Sequence, residues 1–140
     1  MMAPFDPETW LEVAEVCCDT IEGVDGEALL RTSLNRAYYA ALLSVKRRIE
    51  LVHGRNALPR FRTHAAIIEA MRSGGVRFME IYKGLQSLRA MRETADYELR
   101  SEPLWWWLVH SQVRFSRTLI RTRIKALGDA EFRMLVLRPK

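Results

Sequence analysis

The sequence predicts an all-α protein, an up-and-down bundle of four to five helices with a long second and a long fifth helix. Apolar residues recur at spacings of three and four along nearly the whole chain, and most of the glycines and prolines fall between these periodic segments. The connecting segments are short, which makes successive helices antiparallel neighbours. With 49% of its 140 residues apolar, the chain can bury one core of ordinary domain size.

The first two helices are separated by a short glycine-containing turn. The first should begin at Pro7, with Asp6 as its N-cap, and end at Gly23. The second should run from about Glu27 to Val52, with Gly54 as its C-terminal cap. The predicted core stripe of the first helix is Trp10, Val13, Ala14, Cys17 and Ile21. That of the second helix is Leu30, Leu34, Ala37, Tyr38, Ala41, Val45, Ile49 and Val52.

A basic, irregular segment at residues 53–62 precedes two further helices. Thr63 is the expected N-cap of a short third helix, which Gly74-Gly75 should end. The fourth helix should extend from about Val76 to Glu98. The side chains expected to face the core are Ala66, Ile67 and Ala70 from the third helix and Phe78, Ile81, Tyr82, Leu85, Leu88 and Ala95 from the fourth.

The fifth helix should open near Ser101 and Pro103 and last to Leu127. It carries two apolar stripes, which predicts contact with two neighbours: Leu108, Phe115, Leu119 and Ala126 form one, and Val109, Ile120 and Ile124 form the other. We expect a single domain over residues 1–128, followed by a tail at 129–140. For the tail, one more helical turn capped by Asp129 and an extended arm are both compatible with the pattern.

Composition and charge narrow the classes of function. The formal net charge of +5 and the pI near 9.6 favour acidic partners, nucleic acid among them. The chain has no apolar run long enough for a membrane helix and no secretory leader at its first residues, so we expect a cytoplasmic protein without membrane contact. Adjacent Cys17 and Cys18 suit neither a mutual disulfide nor a zinc site, and phosphate-loop, dinucleotide and calcium motifs are absent. We expect no cofactor and no metal.

The end of the fourth helix concentrates polar residues. Arg89, Arg92 and Asp96 are spaced i, i+3 and i+7, so they line one helix face, and Tyr97 lies beside them. A solvated ion-pair face is one interpretation of this spacing. A functional site is the other.

The second helix offers a counterpart to this face. Asn35, Arg36 and Tyr39 place an amide, a guanidinium and a phenol near one side of the helix. Across a bundle they would look toward Asp96 and Tyr97, and Arg36 would form a buried pair with Asp96. A buried ion pair destabilises the fold unless it is fully hydrogen-bonded. Its presence would therefore indicate either a pair that makes the fold specific or a functional site.

The same residues carry a resemblance to a known family. The stretch Arg31-Thr-Ser-Leu-Asn-Arg-Ala-Tyr-Tyr-Ala-Ala, His64 at the start of the third helix, and Leu88-Arg-x-x-Arg92-x-x-x-Asp96-Tyr97 together resemble the HEPN family, the higher eukaryotes and prokaryotes nucleotide-binding domain. The likeness covers roughly residues 8 to 127.

The resemblance implies a helical bundle that is usually a homodimer and often a metal-independent ribonuclease, found in toxin–antitoxin or phage-defence systems. An antitoxin or a nucleotidyltransferase is the partner it suggests. The family's catalytic motif is an arginine followed after four to six residues by a histidine, and the two protomers' motifs meet at the dimer cleft. Arg92 matches the arginine, Tyr97 stands where the histidine would, and no histidine follows before His110.

Arg92, Asp96 and Tyr97 are therefore the candidate catalytic residues, and RNA or a nucleotide is the candidate ligand. A tyrosine with a pKa of about 10 is a poor general base at neutral pH, so cleavage would need another group to handle the proton. By elimination among the three histidines, the sequence favours His110 for that role.

The fifth helix adds a basic stripe and an aromatic run. One face of this helix carries Arg114, Arg117, Arg121 and Lys125. These side chains either bind a phosphate backbone together with Arg36 and Arg89 or form a solvated helix face. Three successive tryptophans, Trp105-Trp106-Trp107, span too wide an arc for one core to bury, which indicates a dimer or partner interface. The alternative function is thus a non-catalytic interaction module that binds a protein through this Trp-rich patch.

Overall fold

A computed structural model describes residues 6–18, 26–59, 62–97 and 106–137, without the side chains of residues 95–97 and 106. Within those ranges every regular element is helical, which confirms the predicted all-α bundle. The helices are α1 (Glu8–Cys17), α2 (Gly26–His53), α3 (Thr63–Arg72), α4 (Val76–Tyr97), α5 (Trp106–Thr118), a π-helical segment (Leu119–Ile124) that continues α5, and α6 (Asp129–Arg133).

Helix α2 is the centre of the bundle and contacts every other helix. The predicted stripe is confirmed along the middle of α2, where burial is complete or nearly so for Leu34, Ala37, Tyr38, Ala41, Val45 and Ile49. Leu30 and Val52, at the two ends of the stripe, are half-buried and pack against the edge of the core. Because three of the innermost residues of α2 are alanines at positions 37, 40 and 41, neighbouring helices can approach its backbone closely.

Helix α1 begins one residue later than predicted and is rotated from its predicted orientation. Pro7, not Asp6, occupies the N-cap position, and Glu8 is the first helical residue, although Asp6 Oδ1 accepts the Glu8 amide at 3.0 Å. The buried residues are Leu11, Ala14 and Cys18, one position away from most of the predicted stripe. Buried polar contacts account for the rotation: Cys18 Sγ lies 2.9 Å from Ser33 Oγ, which donates to the Ala14 carbonyl at 2.7 Å. Ile21 and Gly23 lie outside the described residues.

Helix α3 starts with a correction to the predicted cap. Thr63 is the first helical residue, and its hydroxyl donates to the Pro59 carbonyl at 2.7 Å instead of capping the helix. Arg62 occupies the N-cap position with φ 59° and ψ 32°, a left-handed conformation that is uncommon outside glycine. At the other end, Gly75 with φ 100° turns the chain into α4, as the sequence predicts.

The fifth helix departs from its predicted register. Val109, Ile120 and Ile124 are buried as predicted, whereas Phe115 and Ala126 of the other predicted stripe are exposed. The buried positions instead follow one stripe at helical spacing, made of Val109, Val113, Ser116, Ile120 and Ile124, which leaves Phe115 on the outer side of the helix. Leu119, the first residue of the π-helical segment, enters the core against Gly84 of α4, where an added β-carbon would lie 2.8 Å from Leu119 Cδ2.

The C-terminal segment joins the bundle through one further helical turn. Helix α6 begins at Asp129, with Gly128 at its N-cap position, so the helical alternative holds and the extended arm does not. Phe132 is completely buried, and the guanidinium of Arg48 on α2 lies 4.6 Å from its ring centroid. Arg48 also donates to the Leu127 carbonyl at 2.7 Å and pairs with Asp129 at 3.1 Å. Residues 129–137 thus pack with the core.

The described helices were also searched for membrane-spanning segments. Among them, none combines the length and the apolar character that crossing a bilayer requires.

Candidate functional site

Helices α2, α3 and α4 meet at a cluster formed by Tyr38, Tyr39, His64 and Arg92, called here the tyrosine–arginine cluster. The two tyrosine rings contact edge to face with their centroids 5.3 Å apart. The His64 imidazole packs edge-on against both, at 5.3 Å from Tyr39 and 5.9 Å from Tyr38. Tyr38 is completely buried, while the other three side chains are half-buried, so the cluster lies at the rim of the core.

Arg92 is held in place by the two tyrosines. Its Nη1 donates to the Tyr39 hydroxyl at 3.2 Å, and its guanidinium carbon lies 5.1 Å from the Tyr38 ring centroid and 5.7 Å from that of Tyr39. Cation–π contacts of this kind orient the guanidinium without using its N–H groups. The tyrosines therefore fix the position of the guanidinium while consuming one of its five N–H groups.

Two polar atoms of the cluster are buried without a hydrogen-bond partner among the described residues. They are the Tyr38 hydroxyl and Arg92 Nε. A buried donor that lacks a partner costs about 1–3 kcal/mol, and such groups are uncommon in folded proteins. Burial also raises the pKa of the Tyr38 phenol, so this hydroxyl keeps its proton across the physiological range.

The pKa of His64 is lowered, first by burial and then by the positive charges of Arg92, Arg89 and Lys46. The imidazole is consequently neutral at neutral pH. None of the described side chains or carbonyls hydrogen-bonds to its ring nitrogens, and neither nitrogen is among the buried atoms that lack a partner. Both nitrogens therefore reach solvent.

The charges around the cluster are predominantly positive. Arg89 pairs with Glu93 at 3.1 Å, and Lys46 lies 3.8 Å from Glu50. No carboxylate whose side chain the structure describes lies within ion-pair distance of Arg92. The carboxylates of Glu93 and Glu50 are thus paired with other cations, and neither neutralises the positive charge of Arg92.

The other predicted members of this site occupy different positions. Asp96 and Tyr97 belong to the last turn of α4, one turn beyond Arg92, and their side chains are outside the described part. Arg36 lies with its guanidinium 4.1 Å from the Trp10 ring centroid, so it contacts α1. Asn35 is half-buried on the same turn of α2. The predicted Arg36–Asp96 pair remains a prediction.

The basic stripe of the fifth helix is largely paired with acidic residues of α1. Arg117 contacts Glu15 at 2.9 Å. Glu8 accepts Lys125 at 2.8 Å and lies 3.8 Å from Arg121. Arg114, the remaining member of the stripe, is exposed. The stripe therefore carries less uncompensated charge than the sequence indicates.

The aromatic run and the remaining histidines lie away from the cluster. Trp107 is 61% exposed, whereas Trp105 and the side chain of Trp106 are outside the described residues. His110 Nε2 lies 3.2 Å from the Cys18 carbonyl, and His53 Nε2 lies 2.8 Å from the Phe132 carbonyl. The histidine that the fold places beside Arg92 is thus His64, and not His110, which the sequence favours by elimination.

Sequence reasoning overlooked Tyr38 and His64 as members of the site. Tyr38 was assigned to the core stripe, where it does lie, and no spacing along the chain connects His64 with Arg92. The tyrosine pair at 38–39 was the available signal, since adjacent helical residues present one ring to the core and the other to the rim.

The described residues contain no group of three or more histidine, cysteine or carboxylate side chains placed to hold a metal ion. Chemically, the cluster offers a fixed guanidinium, a phenol and a neutral imidazole on one rim. The guanidinium and the phenol suit the binding of an anion, and the neutral imidazole suits the removal of a proton from a hydroxyl group next to that anion. Comparisons of the chain with protein-family models, with curated proteins and with solved structures found no match.

Proposed function

We propose that this chain is a HEPN-like protein that binds the phosphate of an RNA or a nucleotide at Arg92. The observation that carries the proposal is the Arg92 guanidinium, which two tyrosines hold at the rim of the core with no described carboxylate within ion-pair distance. A planar guanidinium with free donors is the side chain best suited to a phosphate, because it can form two parallel hydrogen bonds to it.

The surroundings of Arg92 support a phosphate ligand. The side chains of Arg89 and Lys46 are close enough to influence His64 together with Arg92, so the local field attracts an anion. Tyr39 offers a phenol beside the guanidinium. Stacking of a base on its half-buried ring would add sequence-tolerant affinity of about 1–3 kcal/mol.

The family resemblance gives this site its biological setting. In that setting the protein is a cytoplasmic homodimer of a toxin–antitoxin or phage-defence system, and the Arg92 residues of both protomers face one cleft. Asp96 and Tyr97, which lie one turn further along α4, are assigned to the same site on the resemblance alone. Its partner is an antitoxin or a nucleotidyltransferase, and metal-independent RNA cleavage is the activity proposed.

The test is RNA binding by the Arg92→Ala variant. We expect the affinity for a labelled single-stranded RNA to fall about tenfold or more, and the slope of log affinity against log salt to decrease by about one. Arg123→Ala is the matched control, because Arg123 is exposed and paired with Glu80 at 2.9 Å in the π-helical segment. Equal affinities of wild type and Arg92→Ala would refute the proposal.

The exposure of Trp107 supports a second candidate function. An indole that is 61% exposed at the start of α5 is the kind of side chain found at the centre of protein interfaces. If the chain is a non-catalytic interaction module, Trp107→Ala will change its oligomeric state or abolish partner binding, whereas Arg92→Ala will not. Sedimentation velocity of both variants distinguishes the two candidates.

A further inference from the structure

His64 lies at the junction of the three helices that build the tyrosine–arginine cluster. It is the second residue of α3, and its ring contacts Tyr39, whose hydroxyl accepts a hydrogen bond from Arg92. The imidazole and the guanidinium therefore flank one tyrosine ring. An anion bound to Arg92 at this rim would have His64 as a neighbour.

The accessibility of the imidazole matters as much as its position. The imidazole contacts both tyrosine rings at steep interplanar angles of 66° and 72°, which fixes its orientation, while its nitrogens reach solvent and bond to no described group. His53 and His110, in contrast, each use a ring nitrogen on a backbone carbonyl. Of the three histidines, His64 is the one whose nitrogens remain available for a substrate.

Resting on the proposed RNA binding at Arg92, we propose that His64 is the group that accepts the proton from a ribose 2′-hydroxyl during RNA cleavage. The 2′-oxygen forms a bond to the adjacent phosphorus, and the bond from phosphorus to the 5′-oxygen breaks. The 2′-hydroxyl proton passes to a ring nitrogen of His64, and the departing 5′-oxygen takes a proton from water. The hydroxide that remains takes the proton back from the His64 imidazolium, which restores the neutral imidazole. The products are a 2′,3′-cyclic phosphate and a 5′-hydroxyl, with no change of oxidation state.

Arg92 and Tyr39 have distinct tasks in this step. Charge accumulates on the non-bridging phosphate oxygens as the 2′-oxygen attacks, and the Arg92 guanidinium is fixed in place to stabilise it. Tyr39 positions both the guanidinium and the imidazole, since it contacts each of them. In RNA the 2′-hydroxyl is next to the 3′-phosphate, so a proton acceptor beside the phosphate-binding arginine meets the geometric requirement for a general base.

The charged groups that face His64 favour the base form of the imidazole. Lys46 comes from α2, and Arg89 and Arg92 come from α4; all three are cations. Among the described neighbours, Tyr38 and Tyr39 are the other titratable groups in contact with the ring. A neutral imidazole at pH 7 can take a proton directly, without first losing one.

The experiment compares wild type with His64→Gln on a mixed-sequence single-stranded RNA and on its 2′-O-methyl analogue, which cannot be cleaved. We expect wild type to cut only the RNA and to leave 2′,3′-cyclic phosphate ends. His64→Gln should cut at least about 100-fold more slowly and still bind the analogue with wild-type affinity within about twofold. His110→Gln, whose ring contacts the Cys18 carbonyl, should cut at the wild-type rate.

Two further readouts keep the test decisive if a substitution at residue 64 weakens folding. Added imidazole should restore cleavage to a His64→Gly variant, and the acid limb of the wild-type pH–rate profile should be absent from His64→Gln. Cleavage by His64→Gln at the wild-type rate would overturn the proposal. So would a wild-type protein that binds the analogue through Arg92 and leaves the RNA intact, a result that preserves the proposed binding function. Failure of that function itself would appear as unchanged analogue binding by Arg92→Ala.

Discussion

The guanidinium of Arg92 donates a hydrogen bond to the hydroxyl of Tyr39 at 3.2 Å, and this contact ties the last third of α4 to the middle of α2. The two residues are 53 positions apart in the chain, so the contact exists only in the assembled bundle. Because its donor is charged and it is part-buried, the contact fixes the direction of the guanidinium more firmly than an exposed pair would.

Tyr39→Phe should weaken RNA binding about fivefold while leaving the fold intact. The substitution removes the acceptor that orients Arg92, a loss of about 1 kcal/mol, but keeps the ring that packs on His64. Tyr82→Phe is the matched control, because the Tyr82 hydroxyl accepts a bond from Gln86 on the outer side of α4. Fluorescence anisotropy with labelled RNA measures both. An equal loss in the two variants would show that Tyr39 has no special relationship to the ligand.

Stability should fall on acidification in a way that depends on His64. Its pKa in the folded protein lies below that of the unfolded chain, about 6.5, because burial and three nearby cations disfavour the imidazolium. Between these two pKa values the unfolded chain binds more protons, so stability present at neutral pH is lost as the pH drops through that window. His64→Gln removes this titration.

Urea unfolding at several pH values between 7.5 and 5 measures the effect. The free energy of unfolding of wild type should decrease more steeply toward acid than that of His64→Gln. His53 and His110 are present in both proteins, so the difference between the two curves isolates the contribution of His64. Parallel pH dependences would mean that His64 titrates in the folded protein as it does in the unfolded chain.

The parts of the fold that were predictable are those that local patterns determine. The α2 stripe was correct because six of its members repeat at helical spacing within one uninterrupted helix. The rotation of α1 was not, because it depends on the Cys18–Ser33 contact between helices. The close approach of Leu119 to Gly84 was not predictable either, because it depends on how two helices pack and no local pattern reveals it.

The candidate site also contains residues that the local sequence predicts and residues that only the packing of the helices reveals. Arg92 and Tyr39 were both singled out, since each lies in a distinctive local sequence on its own helix. His64 was not assigned to the site, because its approach to Arg92 follows from how α3 crosses α2 and α4. The pairing of the fifth-helix arginines with Glu8 and Glu15 was also hidden, since it joins the two ends of the chain.

Gly84→Leu should destabilise the protein by about 1–3 kcal/mol. Leucine is the better helix former by about 0.8 kcal/mol, so propensity alone predicts stabilisation. Overpacking outweighs that gain, because a β-carbon at residue 84 would already lie 2.8 and 2.9 Å from the two methyl carbons of Leu119. Thermal and urea unfolding measure the change.

The control for this substitution is a double-mutant cycle with Leu119→Ala. Leu119→Ala alone opens a cavity in the core and should cost about 2–5 kcal/mol, since Leu119 is 4% exposed. Combined with Gly84→Leu it should cost clearly less than the sum of the two single changes, because the new leucine fills the vacated space. Additive losses would show that the close approach does not determine the effect.

The arginines of the fifth helix should matter less for RNA binding than Arg92. Arg117 and Arg121 lie against Glu15 and Glu8, so much of their charge is compensated before a nucleic acid approaches. We expect Arg117→Ala and Arg121→Ala each to lower RNA affinity by less than about threefold in near-physiological salt, against tenfold or more for Arg92→Ala.

Glu15→Gln supplies the reciprocal experiment. Removing this carboxylate frees Arg117 and should raise RNA affinity slightly, about twofold, if the stripe lies along the path of the phosphate backbone. An unchanged affinity would place that path elsewhere and confine the phosphate contacts to the tyrosine–arginine cluster. A loss in Arg117→Ala as large as that in Arg92→Ala would contradict the compensation argument, because it would mean that the stripe binds RNA despite its acidic partners.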